Sequence, residues 1–170
     1  MARLLSRRFM PLRRRTRDAA RRGTTAVEMA LLSGPFFLLF MGMIEFCLME
    51  GAQQLLENAA YNTSRLAKTG YTASGQTQAQ TVAQVLTTEL QSYGTLFNTT
   101  NVTMTETDYT SFSSAAAGGG TSGYGAASQI VTYKITYPWQ LFTPMLSTII
   151  GTNGIVNLTT TIVVRNEPYG

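Results

Sequence analysis

Apolar and polar positions set off one stretch near the start of the chain. From Met29 to Ile44, 16 residues carry no charge and are rich in Leu, Phe and Met. Glu45 interrupts, Phe46 to Met49 are again apolar, and Glu50 closes the run. Glu28 and Glu45 are the only charges between Thr24 and Met49. A helix rises about 1.5 Å per residue, so the core reaches about 24 Å and the whole run about 39 Å. The hydrocarbon layer is about 30 Å thick. The pattern predicts one tilted transmembrane helix at residues 24–49, with a glutamate near each edge. The run is apolar all round rather than striped, which argues against a buried core helix.

Past Glu50 the helical spacing continues. Leu55, Leu56, Ala59, Ala60, Leu66 and Ala67 share a broad face, Gln53, Glu57 and Arg65 lie elsewhere, and Gly70 suits a C-cap. One helix from Thr25 to Thr69 is expected, half in lipid and half beyond it. Thr77 to Tyr93 predicts a second helix, with Val82, Leu86, Leu90 and Tyr93 on one face and Gly94 ending it.

The period then changes. Val102 to Thr107 alternates and is rich in threonine. Ile130 to Tyr137 places Val131, Tyr133, Ile135 and Tyr137 on one face, and Pro138-Trp139 is expected to end that strand. Ile155 to Arg165 turns Val156, Leu158, Ile162 and Val164 inward, after a turn at Gly151–Gly154. Ser111 to Ser128 is low in complexity and expected to be mobile. Leu141 to Ile150 reads as a short amphipathic helix or a strapping loop. About three strands with one apolar face need a cover. The far half of the long helix and the second helix supply it, so the expected class is α+β, with a head at residues 50–170.

Charge gives the chain a direction. The net charge of +4 hides an uneven split: residues 1–22 hold nine arginines against Asp18, while eight carboxylates face four cations in the rest. A basic tail can bind nucleic acid. Placed just before an apolar span, it instead holds its own side in the cytoplasm. The leader shows no apolar periodicity and reads as disordered. Ser6-Arg7-Arg8-Phe9-Met10 is a faint twin-arginine pattern set too far from the apolar run, and no small-residue cleavage site follows that run at Gly51-Ala52.

There is no histidine, and Cys47 is the single cysteine. An ordinary metal site lacks its ligands, and an intramolecular disulfide is excluded. Cys47 is expected to face lipid or a neighbouring helix. The glutamates are spread singly, and Gly118–Gly120 lacks the lysine of a phosphate loop. No enzyme, cofactor or small-molecule substrate is expected.

The junction Arg21-Arg22-Gly23-Thr24-Thr25-Ala26-Val27-Glu28 carries more. A cut after Gly23 would make Thr24 the first residue and Glu28 the fifth. Glycine offers a protease an unhindered backbone. The same residues also fit a capping box, with Thr25 as N-cap and Glu28 reaching back to it. The arrangement resembles the processing site of type IV prepilins, which a membrane-embedded prepilin peptidase cuts on the cytoplasmic face. Met29 stands where many pilins of the related subclass carry Phe or Tyr. The wider stretch resembles the opening of TadE-like proteins, pseudopilin-type components of tight-adherence (Flp) pilus machines. The likeness lies in the Arg-Gly junction, Val27-Glu28, the mid-helix Pro35 and Ile44-Glu45-Phe46. Val163-Val164-Arg165-Asn166-Glu167-Pro168-Tyr169 resembles that family's ending.

The resemblance implies a type IV pilin-like fold and a non-catalytic minor pilin or pseudopilin. It implies a bacterial inner-membrane protein with a cytoplasmic leader at 1–23 and a periplasmic head, able to enter an extracellular pilus. Arg22, Gly23, Thr24 and Glu28 would form the peptidase site, and Thr24 with Glu28 would set subunit register. The partners implied are the prepilin peptidase, other pilins or pseudopilins and the assembly platform, with no nucleic acid. Two alternatives stand beside it: an uncleaved, membrane-anchored periplasmic adaptor of an envelope machine, and a nucleic-acid- or lipid-associated protein using its arginine tail. Pro35 removes a backbone hydrogen bond and predicts a kink, with Ser33 placed to help the freed carbonyl. Ser33-Gly34 and Gly42 offer small-residue surfaces for another helix.

Overall fold

The computed structural model describes residues 13–169, with side chains from Gly23 onward. Expectations for residues 1–12 and for the Arg22 side chain lie outside the described residues. The chain divides into two units, residues 1–42 and 43–170.

The described part of the first unit is helical throughout. It belongs to α1, Arg13–Ala67, which runs on into the second unit. The helix therefore begins well before Thr25, and residues 13–22 are not irregular. Arginine and alanine are good helix formers, and no Gly or Pro interrupts the chain between Pro11 and Gly23. Thr25 lies inside the helix, so the capping-box reading does not hold. Pro35 also sits inside α1. Ser33 donates its hydroxyl to the Ala30 carbonyl at 2.9 Å, not to the Leu31 carbonyl that Pro35 leaves unpaired. Val27, Met29, Leu31, Leu32, Phe36, Phe37, Leu39 and Phe40 are all exposed. This segment of α1 is long and apolar enough to cross a membrane.

The second unit is an α+β head. It contains the rest of α1, α2 (Gln78–Ser92), β1 (Thr103–Tyr109), α3 (Phe112–Ala116), β2 (Thr121–Ser122), β3 (Ile130–Gln140), α4 (Pro144–Ser147) and β4 (Ile155–Arg165). Thr77 caps α2: its hydroxyl accepts the Gln80 N–H while the Gln80 side chain accepts the Thr77 N–H. The strands form one antiparallel sheet in the order β2-β1-β3-β4. Val131, Tyr133, Ile135, Tyr137 and Trp139 of β3 are buried on one face. Ala52, Leu56, Ala59 and Ala60 of α1, with Leu86 and Leu90 of α2, pack over its lower part, and Ala67 and Val82 over Val131 and Tyr133. The other face is rich in threonine, and Thr136 and Thr159, paired across β3 and β4, share a hydroxyl hydrogen bond of 3.2 Å.

Two details differ from the sequence pattern. Pro138 does not end β3, which continues to Gln140. Leu141 donates to Gly154 on the β4 side and Gln129 accepts from Asn166. By alternation, odd residues of β3 bond to β4 and even ones point toward β1. Pro138 is even, and β1 ends opposite Thr136, so its missing N–H faces a side with no strand. The stretch 111–128 also contains ordered pieces. Ser111 caps α3 by accepting the Ser114 N–H at 3.2 Å. Thr121 and Ser122 add a fourth strand, with the Thr121 hydroxyl donating to Asp108 at 2.8 Å.

The C-terminal segment closes on the end of α1. Glu167 donates its N–H to the Lys68 carbonyl at 2.8 Å and pairs with the Lys68 ammonium at 3.3 Å. Asn166, buried, donates to the Tyr124 carbonyl at 2.9 Å and the Ala126 carbonyl at 3.1 Å. The Tyr169 ring lies over Gly70, whose φ of +67° and lack of a side chain both make the fit possible.

Candidate functional site

Gly23, Thr24 and Glu28 lie on α1 and are exposed. Thr24 and Glu28 are four apart and so share one helix face. Gly23 is helical, not extended. A Cβ placed on it would meet nothing within 4 Å, and the same holds for Gly34 and Gly51. Glycine inside a helix costs about 1 kcal/mol relative to alanine. Among the described residues nothing in the packing requires it at these three places. Cys47 is exposed.

The one elaborated polar site on the apolar stretch of α1 is at Glu45, within the second unit. Only 4% of this residue is exposed. Its carboxylate accepts the Phe142 N–H at 2.9 Å and 3.1 Å, one contact from each oxygen. Oε2 also accepts the Thr143 N–H and the Thr143 hydroxyl, both at 2.9 Å. Trp139, buried beneath, sends its indole N–H toward the same carboxylate without reaching hydrogen-bond geometry. Trp139 in turn stacks edge-on against Phe142, with ring centroids 5.8 Å apart. A charge in an apolar setting is tolerated only when its oxygens are satisfied. Here the chain after β3 wraps the carboxylate and does so.

Sequence reasoning placed Glu45 at one edge of the span and in an Ile-Glu-Phe likeness, and gave it no partner. The available signal was physical: a lone carboxylate with apolar neighbours on both sides must find a partner. Its partners are backbone groups far along the chain, which no local pattern shows. This site binds its own loop and offers no acid–base pair or nucleophile. Among the described residues no group of three or more Cys, Asp or Glu side chains is placed to hold a metal.

The exposed apolar helix and the α+β head together describe a membrane protein anchored by a single span. A family model described as TadE-like protein matches residues 23–65, from the Gly23 junction, through Pro35 and Glu45, to the part of α1 that packs in the head. The match covers about a quarter of the chain and stops before α2. No curated protein and no solved structure matches the chain.

Proposed function

We propose that the chain is a non-catalytic minor pilin or pseudopilin of a tight-adherence pilus, made as a prepilin and cut after Gly23 by prepilin peptidase. Arg22, Gly23, Thr24 and Glu28 would be the residues that enzyme reads. The arginine-rich leader stays in the cytoplasm, and the head lies in the periplasm of the bacterial inner membrane. Other pilins and the assembly platform are its partners. The observation that carries this reading is Gly23 itself. It lies inside α1 just before the exposed apolar stretch, five residues from Glu28, and a Cβ on it would meet nothing within 4 Å among the described residues. A requirement from outside the folded chain accounts for its cost.

Glu28 then has a second task. Among packed apolar stems an unpaired carboxylate is costly, on the order of 3 kcal/mol or more. Pairing with the new Thr24 amine of a neighbour relieves that cost only in the correct axial register. With Thr25 inside a longer helix, the precursor has no local cap for Glu28 to serve. Glu28→Gln tests this. The variant should be inserted and processed, yet fail to co-purify with its pilin partners or support pili. Normal pili from Glu28→Gln would refute the register role.

One observation favours a second reading, the uncleaved periplasmic adaptor. Gly23 lies within a continuous helix, and a peptidase must unwind that turn to reach it. A full-length protein in mature membranes is the sign of that alternative.

A further inference from the structure

We propose that the loop from Phe142 to Ile150 is a second membrane contact, lying in the headgroup–acyl boundary of the bilayer that α1 crosses. The proposal rests on reading α1 as a membrane span. Four large apolar side chains of this loop are exposed: Phe142 at 67%, Met145 at 58%, Ile149 at 70% and Ile150 at 46%. No charged residue occurs between Leu141 and Ile150. Such a cluster within one loop marks an interaction surface.

Three observations select lipid as the occupant. Glu45 ties the start of the loop, Phe142 and Thr143, to the last turns of the apolar run. On those turns Met43, Ile44, Phe46 and Leu48 are themselves exposed. The loop is thus fastened at the level where lipid contact already ends. Next, its hydroxyls are satisfied by the loop's own backbone: Ser147 donates to the Pro144 carbonyl at 2.7 Å and Thr148 to the Met145 carbonyl at 2.8 Å. Satisfied hydroxyls lower the cost of leaving water. Last, the sealed Glu45 presents no charge to lipid, so the apolar run extends from Met29 to Met49, about 32 Å against a hydrocarbon layer of about 30 Å. The end of that run, and the loop fastened there, fall at the boundary of the layer.

The test uses the full chain in a Cys47→Ser background, purified and inserted into phosphatidylethanolamine–phosphatidylglycerol vesicles. Single cysteines are introduced as Met145→Cys or Ile149→Cys and labelled with an environment-sensitive fluorophore. Lipids carrying a nitroxide quencher high on the acyl chain report contact. Leu39→Cys, within the span, is the positive control. Phe112→Cys is the negative control: it is 70% exposed on α3, just after β1, whose last residue pairs with Ile130 at the other end of β3. The loop labels should shift to the blue and be quenched, while the Phe112→Cys label is not. If Leu39→Cys is quenched and both loop labels behave like Phe112→Cys, the loop inference is overturned and the span stands. If Leu39→Cys is unquenched as well, both fail. Loop labels that are shielded only after pilus proteins are added would also overturn it, and would assign the patch to a protein partner.

Discussion

Glu45 holds Thr143 twice: one carboxylate oxygen accepts both the Thr143 N–H and its hydroxyl, each at 2.9 Å, across 98 residues of chain. The pair joins the exit of the apolar run to the loop between β3 and β4. Hydrogen bonds to charged groups contribute about 1.5–3 kcal/mol each. Glu45→Gln keeps the shape but offers one carbonyl oxygen, and its amide confronts donors with donors. The head should lose about 2–4 kcal/mol. Trp139 is the only tryptophan and lies against this site, so its emission reports unfolding in urea and detergent directly. Stability within about 0.5 kcal/mol of the parent would mean that the contact is dispensable.

Gly70 makes the second prediction. Its φ is +67°, and an added Cβ would lie 2.7 Å from the Tyr169 ring. Gly70→Ala should cost about 1–3 kcal/mol through strain and displacement of the C-terminal segment. In a Tyr169→Ala background the clash is gone and the strain remains, so the same change should cost less. Equal costs in both backgrounds would show that the ring is not seated there.

High pH should loosen the head. Burial, aided by the neighbouring Glu106 carboxylate, pushes the Tyr124 hydroxyl up from 10.0 to about 12. Burial raises Tyr133 as well. Between those values the unfolded chain has lost protons that the folded chain keeps, so stability falls as pH rises through that window. Well below pH 10 this contribution is constant. A urea midpoint that drops from pH 10 toward 12, and drops less in Tyr124→Phe, is the expected result. A flat midpoint across the window would contradict it.

Topology makes a separate prediction. The nine arginines of the leader should hold the N-terminus inside. An alkaline phosphatase fused after Gly170, which matures only in an oxidising compartment, should be active. An intact but inactive fusion would place the head in the cytoplasm.

What could be read from the sequence follows the range of the forces. The apolar run, the face of α2 through Val82, Leu86 and Leu90, and the inward sides of β3 and β4 are set by periodicity within one element. All three stand in the structure. Gly70 was legible as a stop, but not the Tyr169 ring over it. Pro138 was misleading because its tolerance depends on where β1 ends. The start of α1 at Arg13 was hidden by charge, since arginine marks a polar segment and forms helix equally well. Glu45 was visible as an oddity, while its partners depend on how the head closes. Gly23, Thr24 and Glu28 stood out through their resemblance to a prepilin processing site. All three are exposed on α1.

The most direct measurement is the N-terminal residue of the protein isolated from membranes of pilus-forming cells. A subunit processed after Gly23 begins at Thr24, and Gly23→Val should leave the full-length precursor in the membrane. A wild-type protein that begins at Met1 or Ala2 would contradict processing and leave the uncleaved adaptor in its place.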